Sequence, residues 1–369
     1  MSRRREPWYL FCGDQTFAEQ CLLHDFQRCR EPAEQASLLQ LLSRLGGWAL
    51  LEKLIEAHPA LLAEPDGRAA LFHLRQAQRQ PNPWLSLLPA HEQSPFLQSW
   101  KAWPHAGQPL QVMLSGGLGD QLEALAILAA HPARESLTLV LPETGKAALK
   151  PLLELLLSTT AAPGWRFGVA DPQQSWLNWM AFQALMAGRS ERLVPASLFG
   201  QLRATCQRQI VVCWRSKVDR RERLWAHLRS LPFAAITHLY GWLLPWAQEH
   251  DYQIADITRY TSTETEILRR QRSSQHLQLL APELRSLADT ARLAGSARQV
   301  ISVDTALIHI AHGVDVPRWL LLHCHPDARW LVRLLQDGGS DQRSLRVLQQ
   351  TRPSDWREPL EQVRIALNA

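Results

Sequence analysis

From about Gln108 to its end the chain alternates short, almost wholly apolar runs with stretches of helical spacing, and this alternation most restricts what it can fold into. QPLQVML, LTLVLP and WRFGVA read as strands, whereas DQLEALAILAA, KAALKPLLELLL and SWLNWMAFQALMAG read as helices. LVPASLFGQLRATCQR makes a connection, and a second series opens at QIVVCWRS, passes through ITHLYGWLLPWAQEH and YQIADIT, and runs on to DVPRWLLLH. Strand followed by helix, repeated, is the grammar of parallel βα units. Two such series predict an α/β protein with two Rossmann-like domains, residues 108–205 and 206–369. The closing DWREPLEQVRIALNA predicts an amphipathic helix with Trp356, Leu360, Val363 and Ile365 to Leu367 on or near one face.

Residues 1–107 have a different pattern. LLQLLSRLGGWALLEKLIEAHPALL spaces its leucines by three and four and breaks at Gly46-Gly47, and GRAALFHLRQAQRQ ends at the breaker PNPW. A small all-α domain is expected here, without a convincing 34-residue repeat. Six cysteines, at 12, 21, 29, 206, 213 and 324, include no C-x-x-C pair, which predicts free thiols in a reducing compartment. The opening MSRRREPWYLFCGD lacks the apolar stretch of a signal peptide, and no run of about 18 apolar residues occurs, so a cytoplasmic location without a transmembrane segment is expected. A net charge of +5 is small for 369 residues and predicts no nucleic-acid partner. Only five of the 40 basic residues are lysines, and Lys217 is the single one after position 150.

Two strand-to-helix junctions could carry chemistry. In SGGLGD, Ser115, Gly116, Gly117 and Gly119 would let backbone amides approach an anion at a helix start, while Asp120 reads equally as a helix cap. Leu122 stands where a dinucleotide fingerprint needs its third glycine, which disfavours a nicotinamide cofactor. In SVDTA, Ser302, Asp304 and Thr305 fall at the carboxyl end of a strand, where open α/β sheets bind ligands. The N–H groups of Thr305 and Ala306 suit a diphosphate. Asp304 would repel phosphate, so it either accepts hydrogen bonds from sugar hydroxyls or caps the helix.

D-T-x-x-x-H after a strand, with G-G-L-G-D after the first strand of the preceding domain, resembles the ADP-heptose heptosyltransferase type of glycosyltransferase. The chain is similar, more closely, to glycosyltransferase domains that follow tetratricopeptide or other helical repeats in bacterial proteins. In those, D-T-A-x-x-H-x-A-x-x-x-x-x-P leads into an apolar strand and a P-D-x-R-W segment, as DTALIHIAHGVDVP and PDARW do here. The likeness covers residues 110 to 369 and departs from the heptosyltransferases at Ala306, where they carry glycine. It implies the GT-B architecture, two Rossmann-like domains facing across a cleft, and inverting sugar transfer from a nucleoside-diphosphate donor without a bound metal or cofactor.

The resemblance also implies roles. Asp120 becomes the expected general base, and Arg215 and Lys217 of WRSK the cations for the departing diphosphate, against the alternative of solvated loop charges. His309, one helical turn past Thr305, either points to the nucleotide or is a buried structural histidine. Arg329 either reaches the diphosphate or fixes the following helix. His323, Cys324 and His325 alternate along a strand and cannot all meet one ion, so no metal is expected. The acceptor, a glycan, lipid or protein, would be bound by the helical leader on analogy with the repeat-linked relatives. A non-catalytic GT-B-like scaffold is the competing reading, because a fold does not by itself establish turnover.

Overall fold

The computed structural model describes residues 15–78, 80, 110–114, 118–119, 121–122, 125, 137–141, 146–157, 166–168, 176–178, 198–204, 208–216, 223–324, 330 and 345–368. Four helices come first: α1 (Gln15–Arg28), α2 (Pro32–Leu45), α3 (Trp48–Ala57) and α4 (Pro65–Ala77). The leucine spacing of α2 puts Leu39, Leu42 and Leu45 into a core shared with Leu22, Phe26, Leu51 and Leu74. Gly46 ends α2 at φ 76°, a left-handed backbone that glycine adopts without strain, and Gly47 N–H closes the turn on Leu42 O at 3.2 Å.

Two parallel sheets follow. The first has the order β3-β2-β1-β4, from β1 (Leu110–Met113), β2 (Leu137–Val140), β3 (Arg166–Phe167) and β4 (Trp176–Asn178). The last of these is a correction. The apolar stretch SWLNWMAFQALMAG reads as helix throughout, yet Trp176–Asn178 is a strand in register with Gln111–Met113. A three-residue strand owes its existence to the partner edge of β1, and so short a segment carries no period that could announce it.

The second sheet has the order β10-β9-β8-β5-β6-β7, from β5 (Gln209–Cys213), β6 (Gln253–Asp256), β7 (Leu277–Leu279), β8 (Gln299–Val303), β9 (Arg318–Leu322) and β10 (Leu345–Gln349). All its pairings are parallel. Counting from its own first strand, the order is 3-2-1-4-5-6, the doubly wound arrangement of dinucleotide-binding folds. The central strand β5 is buried along its whole length. Its side chains alternate between two cores: Val211 and Cys213 face one, and Ile210, Val212 and Trp214 the other.

Helices cover both faces. After the short α6 (Arg223–Leu228), α7 (Phe233–Glu249) buries Ile236, Leu239, Tyr240, Leu243 and Leu244 on one side, joined by Leu360 and Val363 of α11 (Arg357–Leu367). Trp356 is buried there as expected, but Ile365 is 59% exposed. Two residues past Val363, it falls on the opposite side of a helix with 3.6 residues per turn. On the other side lie α9 (Leu287–Ser296) and α10 (Ala306–Gly313). Leu149, Leu152 and Leu153 of α5 (Lys146–Leu157) join the same core as Ala288, Ala291 and Ala294 of α9, so this core is continuous with the first sheet.

The connection at 198–204 is tied to the second sheet's helices. Phe199 N–H donates to Gly313 O at 2.6 Å, Ala204 N–H to Gly295 O at 3.1 Å, and Arg203 reaches Gly295 O and Ala297 O at 3.1 and 2.6 Å. Gly295 is glycine because of this strap: a Cβ there would stand 2.3 Å from Leu202 O. Among the described residues no helix is long and apolar enough to cross a membrane.

Candidate functional site

The strand order reverses between β5 and β8, and a crevice opens at the carboxyl ends of strands on either side of such a point. The two segments that border it are WRS, after β5, and VDT, after β8. These are two of the stretches the sequence marks out, brought side by side by the pairing of Cys213 with Ser302.

At the end of β8 the chain turns directly into α10, and Thr305 is the residue that caps it. Its Oγ1 accepts from Leu307 N–H at 3.3 Å and lies 3.0 Å from Ser302 Oγ, which is fully buried. Asp304 therefore does not cap the helix. It is 5% exposed, and its carboxylate has no hydrogen bond or ion pair with another described residue. A buried carboxylate without a donor is costly unless something supplies one. Ala306 opens α10, whose first N–H groups have no intrahelical partner.

One turn along, His309 is 9% exposed, with its ring centroid 5.8 Å from that of Trp330. The ring also lies against the glycine loop of the first sheet. A Cβ on Gly119 would stand 2.8 Å from His309 Cδ2 and 2.9 Å from Nε2, so any larger residue there would require the His309 ring to shift. The structure thus joins the glycine loop to the Asp-Thr helix through Gly119 and His309. Ser115, Gly116, Gly117, Asp120, Lys217 and Arg329 lie outside the described residues.

Arg215 is placed at the crevice but its guanidinium is engaged. Nη1 and Nη2 donate to the two carboxylate oxygens of Glu264 at 3.1 and 2.8 Å, and Nε reaches Leu231 O at 3.4 Å. The rings of Phe233 and Tyr260 flank it, with centroids 5.7 and 5.6 Å from its central carbon. Glu264 is also the third residue of α8 (Ser262–Arg269), closing a capping box with Thr261. The hydrogen bonds from Arg215 hold the Glu264 carboxyl below its ordinary value of 4.5. A depressed folded-state pKa contributes stability that is complete above the ordinary value and is lost as pH falls through the depressed one. Glu264→Gln should therefore cost on the order of 1 kcal/mol at pH 7 and progressively less on acidification, as read by urea melts at pH 7 and pH 3.

Under this segment lies a network that sequence reasoning missed. Asp256, fully buried at the end of β6, accepts from Thr258 N–H at 2.7 Å, Tyr240 Oη at 2.6 Å and Tyr260 Oη at 2.7 Å. Trp214 Nε1 donates to Tyr240 Oη at 2.8 Å, and Trp214 N–H to Thr258 Oγ1 at 2.8 Å. Burial raises the Asp256 carboxyl above its ordinary value while these hydrogen bonds oppose the rise. Cys213 is no nucleophile, because burial, followed by the charge of Asp256, pushes its thiol up to about 11. The one available signal was an acid closing the apolar run YQIAD.

Residues 238–321 match the family model described as glycosyltransferase family 9 (heptosyltransferase). The matched segment contains Asp256, Glu264 and the whole of Ser302 to His309. No curated protein matches the chain. Among solved structures, the chain is similar to E. coli heptosyltransferase WaaC with ADP-2-deoxy-2-fluoro heptose at 14% identity and a TM-score of 0.44, covering 71% of this chain and 100% of that one. For E. coli ADP-heptose lps heptosyltransferase II the values are 13% and 0.43, covering 71% and 99%. For a glycosyl transferase family 9 protein from Veillonella parvula they are 10% and 0.37, covering 66% and 86%. The expected resemblance to heptosyltransferase-type glycosyltransferases is borne out by the family match.

Proposed function

We propose that the chain is a glycosyltransferase that moves a sugar from a nucleoside-diphosphate donor to a glycan, lipid or protein acceptor, with inversion and without a bound metal or cofactor. The observation that carries this reading is Asp304: a buried carboxylate at the switch point of a doubly wound sheet, relieved of capping by Thr305, without a partner among the described residues, and inside the family-matched segment. An acceptor-only group beside unpaired helix N–H groups suits a ligand that joins hydroxyls to an anion. A nucleotide sugar is such a ligand.

In this reading the parts divide as follows. Asp304 accepts from sugar hydroxyls, and the first N–H groups of α10, at Thr305 and Ala306, face the diphosphate. Lys217 adds a compact positive charge as the nucleoside diphosphate departs. Asp120 takes the proton from the acceptor hydroxyl while the acceptor oxygen attacks the anomeric carbon from the face opposite the diphosphate. His309 orients the glycine loop through Gly119. Arg215 stands behind the site as a positioning group rather than a direct ligand, since Glu264 and Leu231 engage its nitrogens. Residues 108–205 and 206–369 form the two Rossmann-like domains of a GT-B arrangement. Residues 1–107 form a helical domain that binds the acceptor, supported by the separate core of α1–α4.

The reading is tested by thermal shift across ADP, UDP, GDP, CDP and their sugar conjugates, because a ligand of the folded state alone raises the melting temperature by mass action. A selective shift is expected for one nucleotide and its sugar conjugate. No shift with any of them would remove the donor. Lys217→Ala is expected to weaken the nucleoside diphosphate by at least about tenfold, the worth of one charge-assisted hydrogen bond, in calorimetric titration. Unchanged binding would take Lys217 out of the site.

A further inference from the structure

In dinucleotide-binding folds an acid near the end of the second strand reaches out to the ribose. Asp256 holds the corresponding place in the second sheet, at the end of β6, and it is turned the other way. It is fully buried and all its donors are internal: Thr258 N–H on one oxygen, Tyr240 and Tyr260 hydroxyls on the other. It cannot touch a ligand. What it does touch leads to the crevice by a short path, because the Tyr260 ring it anchors is one of the two that flank Arg215.

From there the whole Trp214–Ser216 turn is held. Trp214 N–H is bonded to Thr258 Oγ1 at 2.8 Å, and Trp214 O accepts from Leu231 N–H at 2.9 Å. Arg215 is gripped by Glu264 and by two rings, and Ser216 N–H donates to Ser230 Oγ at 2.9 Å. The ties come from two stretches, 230–233 and 258–264, and Asp256 is hydrogen-bonded to two of the residues that supply them, Thr258 and Tyr260.

We propose that Asp256 is a positioning residue for the donor site: it fixes Thr258 and Tyr260, and these fix the main chain and the guanidinium of the turn after β5. The inference rests on the donor reading above and adds to it the group that sets the shape of one crevice wall from beneath. It explains why an ionisable side chain is kept in a place where an apolar one would pack without needing three donors.

The test is a matched pair of variants in the full chain. Asp256→Asn turns one of the two accepting oxygens into an amide donor among groups that all donate to it, and endangers the fold, so the tyrosines are better probes. Tyr240→Phe and Tyr260→Phe each delete one hydroxyl from the same carboxylate oxygen, but only the Tyr260 ring lies on Arg215. Wild type and both variants are titrated calorimetrically with ADP, UDP, GDP and CDP, and their melting temperatures are recorded. We expect Tyr260→Phe to raise the Kd of the bound diphosphate about tenfold and Tyr240→Phe to leave it within about twofold, although Tyr240→Phe, which also deprives Trp214 Nε1 of its acceptor, loses more melting temperature. Tyr260→Phe binding as wild type does, or both variants weakening binding equally, would overturn the inference and leave the donor reading standing. A wild-type chain that binds none of the four overturns the donor reading, and with it this role for Asp256.

Discussion

Asp120→Asn is expected to fold and melt like the wild type while transferring sugar at least about a hundredfold more slowly, the lower end of what a general base contributes. The amide keeps the size and much of the hydrogen bonding of the carboxylate but cannot take a proton from the acceptor hydroxyl. The preceding residue, Gly119, lies against His309, one turn from the Thr305 helix cap to which the proposed function assigns the diphosphate. Donor affinity should be unchanged, since the donor is assigned to other residues, those after β5 and β8. Steady-state turnover with donor and acceptor, together with diphosphate titration, separates the two quantities. Turnover near that of wild type would remove Asp120 from the role, and loss of diphosphate binding would move it to the donor.

Gly295→Ala is expected to destabilise the chain by about 1–3 kcal/mol even though alanine is the better helix former. In α9 the exchange should gain about 1 kcal/mol of helix propensity. Against that, the new Cβ would lie 2.3 Å from Leu202 O, a main-chain atom that cannot swing aside. Relief would have to pull the 198–204 strap away, breaking the bonds of Ala204 and Arg203 to Gly295 O. The clash outweighs the propensity. Gly241 in α7 supplies the control, because nothing lies within 4 Å of a Cβ there, so Gly241→Ala should stabilise by about 0.5–1 kcal/mol. Urea melts of the two variants should move in opposite directions. A Gly295→Ala variant as stable as wild type would mean that the strap yields freely.

Much of the α/β part was legible because its signals are local. Strands β1, β2, β5 and β8 are apolar runs bounded by glycine or polar turns, and the Asp-Thr junction stands where a strand meets a helix. What escaped depended on partners distant in sequence. The bridge that engages Arg215 comes from Glu264, 49 residues on, so the residue read as a free cation for diphosphate. Asp256 takes its hydroxyls from 16 residues before and 4 residues after, a set that forms no motif until α7 is laid across the sheet. The capping question at Asp304 was open for the same physical reason. Asp and Thr are both good caps, and only the backbone turn at Thr305 decides which one faces the helix.

That division makes substitution at the two positions unequal in cost. Thr305 anchors the start of the helix through its hydroxyl, whereas the Asp304 carboxylate takes no part in that capping. A polar replacement at position 304 should therefore leave the cap of the helix behind it in place. Losing the hydroxyl at position 305 should instead cost about 1 kcal/mol and fray the first turn of the helix.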